Sequence, residues 1–155
     1  MGGLLLSALG DVALVGKSKG ALRVGIGLFL LAHLFYTVAF LLAGGLGVGL
    51  WIGIVYALIA KRIWRWLAPN VRALRIPVIA YVVVISLMVT ASTSGLIGDV
   101  QPATGLLALS AVAFFLSDLA VARERFVCVD RRNRMLGLPL YYAAQVGFCY
   151  AVAMI

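Results

Sequence analysis

Long apolar stretches separated by short basic connectors constrain this chain more than any motif does. A helix needs about twenty apolar residues to cross a bilayer. Six such stretches follow one another, at roughly 1–16, 21–43, 46–66, 76–94, 103–122 and 136–155. Hydrophobic residues make up 65% of the sequence and charged residues 12%, and mean hydropathy is +1.13. Little is left for a soluble domain. The expected fold is all-α: a polytopic transmembrane bundle of about six spans, forming a single domain over residues 1–155. The first stretch is short for a span, so it either starts at the membrane surface or follows helices upstream of Met1.

Charge supplies the orientation. The first, third and fifth connectors hold the basic residues: Lys17, Lys19 and Arg23, then Lys61 to Arg75, then Arg123 to Arg134. The connectors near Gly44–Gly47 and Ser92–Pro102 hold none. Positive connectors stay in the cytoplasm, so both termini are expected outside, with a cell membrane, bacterial by preference, as the location. The net charge of +8 is explained by this rule and by anionic lipid heads. Nucleic acid is not an expected partner. Cys128 and Cys149 fall in a connector and a span and lack any CxxC partner, which argues against a disulfide, zinc or a redox centre. Glycines at 45, 49 and 53 share one face of the third span, where small residues let helices approach. Pro69, Pro77, Pro102 and Pro139 are expected in connectors or first turns.

Against this background Asp11 and Asp118 stand out. Each is a lone carboxylate inside an apolar stretch, where ionisable groups are costly and mark function by default. Asp11 lies about 7–8 Å from the cytoplasmic end of its helix, at 1.5 Å per residue. Asp118 falls at a similar depth in a helix of the same direction. The negative ends of both helices and the low dielectric disfavour two anions there. Two such carboxyls in contact would share a proton. The alternative is two snorkelling residues paired with Lys17 or Arg123.

Other polar residues in the spans are candidates of lower rank. His33, near mid-membrane, is followed one turn later by Tyr36 and Thr37; a lone histidine in a bundle is more often structural than a ligand. Tyr141 and Tyr142 read as an interfacial aromatic belt, and Gln145 as a residue turned into the bundle. Ser86, Thr90 and Ser92 are expected to bond their own helix carbonyls. Ser117 beside Asp118 lacks the frame of a serine hydrolase.

Taken in order, several local patterns are similar to those of one family. Ser7-Ala8-Leu9-Gly10-Asp11 resembles the Gly-Asp motif of the YhhN-like (lysoplasmalogenase) family of integral membrane proteins. Gly27-Leu28-Phe29, Ala32-His33-Leu34-Phe35-Tyr36 and Phe40 resemble its second signature. Tyr81 with Met88 and Ala91, Phe115 to Leu119, and Tyr141-Tyr142-Ala143-Ala144-Gln145 resemble later ones.

The resemblance implies a membrane hydrolase that cleaves the vinyl-ether bond of a lysophospholipid to a fatty aldehyde and a glycerophospho-alcohol. Asp11 and Asp118 are then the catalytic pair. Substrate contacts are expected from His33, Tyr36, Tyr141, Tyr142, Gln145, Lys17 and Arg123, with Lys17, Arg123 and Arg125 toward the phosphate. No metal or organic cofactor is required. Partners are the lysophospholipid and membrane lipid, with homo-oligomerisation left open. The drier surroundings of Asp118, beside Phe114 and Phe115, favour it as the acid over Asp11 beside Gly10. The family has about eight helices, so this chain is expected to lack its first two, including a Lys-Pro segment before the Gly-Asp helix. A small proton-linked transporter, or a truncated homologue without activity, are the competing expectations.

Overall fold

The computed structural model describes residues 2–16, 18–44, 49–71 and 74–154. Six helices follow in chain order: α1 (Gly2–Val15), α2 (Lys19–Gly44), α3 (Gly49–Leu67), α4 (Arg75–Gly98), α5 (Pro102–Phe126) and α6 (Arg131–Ala153). No strand occurs among the described residues. Helices α2, α4, α5 and α6 are long and apolar enough to cross a membrane. The 14 residues of α1 make it the shortest helix, and α3 carries Lys61, Arg62 and Arg65 in its last turns.

Apolar side chains cover the outside of the bundle as well as filling its core. Leu5, Leu42, Trp51, Val83 and Leu109 point outward and are exposed, a face that only lipid can cover. The chain is an integral membrane protein. Lipid tails are as apolar as leucine, so close packing and internal hydrogen bonds must hold the helices together. Small residues provide the approach. Gly3, Ser7 and Gly10 form the buried face of α1 against α2. A Cβ at Gly10 would lie 2.7 Å from the Phe29 ring, and one at Gly3 would lie 2.7 Å from Tyr36. Tight glycine contacts thus seat α1 on α2, and α6 on α5 as well, where a Cβ at Gly147 would collide with the Ser110 hydroxyl. Gly53, in the seam expected on α3, is only at ordinary contact distance from Thr90, and Gly45 lies outside the described residues.

An aromatic cluster fills the centre. The fully buried Phe114 of α5 meets Phe29, His33 and Tyr36 of α2 and Tyr141 and Phe148 of α6, with ring centroids 4.7–6.4 Å apart. Such pairs add about 0.5–1.5 kcal/mol each beyond burial. Hydroxyls of Thr37, Ser86, Thr90 and Ser92 donate to carbonyls three or four residues earlier in their own helices, as polar groups in hydrocarbon must.

Three helix ends differ from the apolar boundaries. Helix α4 runs past residue 94 to Gly98, because the Ser92 and Thr93 hydroxyls both turn back onto the Val89 carbonyl instead of ending the helix. Helix α5 continues four residues beyond Ala122 to Phe126, and α6 begins at Arg131 rather than 136. The Asp130 side chain accepts the Arg132 amide and caps α6, so that charged turns extend both helices out of the apolar layer. The fifth connector therefore shrinks to residues 127–130, and Pro139 lies inside α6 instead of in its first turn.

Candidate active site

Helix packing, not sequence distance, assembles the polar groups. Asp11 stands one turn from the end of α1, and its Oδ2 accepts the Tyr141 hydroxyl of α6 at 2.6 Å. Gly10 makes this reach available by letting α1 settle on the face of Phe29. Asp118 of α5 accepts the Tyr81 hydroxyl of α4 at Oδ2, also at 2.6 Å. The same oxygen lies 3.3 Å from His33 Nε2 of α2, close enough for a charge pair although outside the geometry of a hydrogen bond. On its other side the imidazole Nδ1 donates to the Phe29 carbonyl at 2.5 Å.

Both carboxylates line one cavity of about 810 Å³. Neither aspartate is in an ion pair with Lys or Arg among the described residues. Of the partners that the snorkelling alternative names, Arg123 pairs with Asp130 at 3.7 Å, and Lys17 lies outside the described residues. Tyr36 donates to Gln145 Oε1 at 2.9 Å, deeper in the bundle. The buried hydroxyl of Ser117 donates to the Gly137 carbonyl at 2.9 Å and ties α5 to α6 beneath the cavity.

The cavity wall is apolar where α2, α3 and α4 supply Ile26, Ile63, Val82 and Ile85. It turns polar at Glu124, Arg125, Asn133 and Arg134, where α5 ends and α6 begins. The same rim includes Gly16, Leu22 and Leu67, so the cavity opens at the end of the bundle that carries the basic connectors.

A hydrogen-bonded knot holds that rim. Glu124 Oε2 accepts Asn133 Nδ2 and the Asp130 amide, each at 2.9 Å. Glu124 Oε1 lies 3.2 Å from Arg134, and Arg123 donates to Asn133 Oδ1 at 2.5 Å. Glu124 lies beyond the apolar stretch that ends at Ala122, and the Asn133 amide holds its carboxyl below the usual carboxylate range. Arg125 reaches the Leu14 carbonyl at 3.5 Å, across to the end of α1.

Of the expected site residues, Asp11, Asp118, Tyr141 and Tyr142 line the cavity. His33 reaches it through Asp118, while Tyr36 and Gln145 sit behind Tyr141. Tyr142 is exposed and stacks edge-on against Tyr141 at 5.3 Å. Arg123 is absent from the lining and is engaged in the knot; Arg125 and Arg134 face the cavity instead. Tyr81, Glu124, Asn133 and Arg134 were not legible as site residues, since only the helix-to-helix register brings them to it. Among the described residues no group of three or more His, Cys, Asp or Glu side chains could hold a metal ion. Both cysteines are free.

Comparison with known proteins agrees with the family resemblance. The YhhN family profile matches residues 1–152. The Bos taurus protein named lysoplasmalogenase TMEM86A is 32% identical over 148 residues, covering 93% of this chain and 60% of the relative. The Homo sapiens protein of that name matches with the same identity and coverage. The chain thus spans about 60% of the length of the curated relatives it matches. No solved structure matches significantly. With a profile match over almost its full length and relatives at this identity, the chain belongs to the YhhN family.

Proposed function

We propose that this protein hydrolyses the vinyl ether of lysoplasmalogens at the cavity holding Asp11 and Asp118, in a bacterial cell membrane with the basic end of the bundle in the cytoplasm. The observation that carries the proposal is that two carboxylates, each held by a tyrosine hydroxyl, line one cavity. Relatives named lysoplasmalogenase support the choice of substrate. A volume of about 810 Å³ falls within the usual range for small-molecule sites. Its apolar wall suits an alkenyl chain, and Arg125 and Arg134 at the mouth suit a phosphate.

The chemistry asks for an acid and a base. A protonated Asp118 gives its proton to the alkene carbon, the π electrons forming the new C–H bond and leaving an oxocarbenium ion. The ionised Asp11 stabilises that cation and takes a proton from the attacking water, as paired carboxylates do in glycoside hydrolysis. The hemiacetal then collapses: Asp11 returns its proton to the departing glycerol oxygen, and the hemiacetal hydroxyl gives its own to Asp118. Aldehyde and glycerophospho-alcohol leave, and both carboxyls regain their starting states.

Purified protein in detergent or liposomes is expected to release fatty aldehyde from synthetic lysoplasmalogen and to leave the saturated alkyl-ether analogue intact, since protonation requires the double bond. Asp11→Asn and Asp118→Asn are each expected to abolish release while folding normally. Aldehyde from either variant at the wild-type rate refutes the two-acid mechanism. Proton or solute flux without aldehyde would favour the transporter alternative.

A further inference from the structure

His33 is the one histidine in the chain, and its surroundings fix its tautomer. A backbone carbonyl can only accept, so Nδ1, at 2.5 Å from the Phe29 oxygen, carries a hydrogen. A neutral ring would then aim the bare Nε2 lone pair at Asp118 Oδ2, 3.3 Å away. The imidazole is 1% exposed, and Nε2 has no hydrogen-bond partner. Two lone pairs facing each other without water repel, and an unsatisfied buried acceptor is itself costly. A single proton between Nε2 and the carboxyl removes both penalties, whether it is drawn as imidazolium and carboxylate or as imidazole and carboxylic acid.

We infer that His33 and Asp118 form a proton-holding pair in which His33 is the positioning residue that keeps Asp118 loaded as the acid. The inference rests on the proposed role of Asp118. Other titratable groups do not offer the same service. Tyr81 approaches the ring from α4 with centroids 5.2 Å apart, but its hydroxyl donates to Asp118. Tyr36, on His33's own helix, donates to Gln145. Phe114 of α5 covers the ring at 4.7 Å, with Tyr141 of α6 reaching Phe114 from its other contacts at 5.3 Å. Asp11 of α1 takes its proton partner from Tyr141.

In the catalytic cycle the shared proton passes from the pair to the alkene carbon, leaving neutral His33 beside the Asp118 carboxylate. That state is the unfavourable one just described. Collapse of the hemiacetal returns a proton to the pair, so no proton is gained or lost over a turnover. The pair thereby assigns the acid to Asp118 and the base to Asp11, which has no imidazole beside it.

A single histidine makes the pair directly observable by nitrogen NMR of ring-labelled protein. The expected wild-type signature is a protonated Nδ1 at every pH, with Nε2 protonated or hydrogen-bonded. In Asp118→Asn, which has no acidic proton to share, Nε2 is expected to read as an unprotonated imine nitrogen. An unprotonated Nδ1 in the wild type, or an Nε2 signal unchanged by Asp118→Asn, would overturn the pair.

Kinetics supply the second readout. In His33→Gln, kcat is expected to fall on the order of a hundredfold with KM little changed. A His33→Gln enzyme with the wild-type kcat, or one whose loss is confined to KM, would overturn the role. A wild type that releases no aldehyde yet shows the NMR signature and its response to Asp118→Asn supports the pair and fails the vinyl-ether reading alone.

Discussion

At the scale of single residues, the site depends on Tyr81, which the sequence marks only as part of a family signature and not as a site residue. The Tyr81 hydroxyl contacts Asp118 at 2.6 Å while its ring packs on His33. Tyr81→Phe removes the first contact and keeps the second. A hydrogen bond to a charged group contributes about 1.5–3 kcal/mol, so the turnover of Tyr81→Phe is expected to fall about ten- to a hundredfold. Its thermal midpoint in detergent should stay near wild type. Aldehyde release together with a melting curve checks both, and unchanged turnover would mean that the hydroxyl does not serve the acid. The two aspartates were legible because a carboxylate in an apolar stretch has few structural uses. Tyr81 was not, since a tyrosine in a span is ordinary and its partner lies 37 positions away. His33 was visible as a lone polar group, but its depth counted along a straight helix placed it apart from Asp118. The packed helices bring the two together.

Elements show the same division between what is local and what is not. Apolar length fixed the number and order of the helices, whereas their ends depend on contacts. Asp130 caps α6, which begins five residues before the apolar stretch, and the knot around Glu124 and Asn133 ties that new turn to the end of α5. The close fit of α1 on α2 was also hidden, because Gly10 in sequence is one glycine among 17. Adding a methyl there sets two effects against each other. Alanine is the better helix former by about 1 kcal/mol. The new Cβ, however, would lie 2.7 Å from two carbons of the Phe29 ring. That ring is 7% exposed and wedged against Phe114 and Tyr141, so it cannot swing aside. Overpacking of this kind costs about 1–3 kcal/mol and outweighs the helical gain. Gly10→Ala is therefore expected to lower the thermal midpoint and to displace Asp11 from Tyr141, with loss of activity. Adding Phe29→Leu, which frees the space, should recover part of the stability. A Gly10→Ala protein as stable and active as wild type would show that α1 does not seat against α2 in this way.

The whole molecule is organised along the membrane normal. The larger cavity, both aspartates and the basic rim share one end, while a second cavity of about 440 Å³ near Asp99, Gln101 and Met154 opens at the other. Which end faces the cytoplasm follows from the charge alternation of the connectors, and the cavity's substrate supply follows from it in turn. If the basic end is cytoplasmic, the proposed lysophospholipid substrate is expected to enter from the inner leaflet, with its vinyl ether just below the headgroup layer at the level of Asp11 and Asp118. The chain contains its own reporter. Cys128 is exposed in the four-residue connector between α5 and α6, at the basic end. Cys149→Ser leaves it as the single thiol, since the sequence has two cysteines. A membrane-impermeant maleimide is expected to label this variant in inside-out vesicles and to leave it unlabelled in intact spheroplasts. The reverse pattern would place the site under the outer leaflet, where the same two carboxyls would meet a different lipid pool. Labelling from both sides would instead indicate dual insertion, which the one-sided distribution of Lys and Arg argues against.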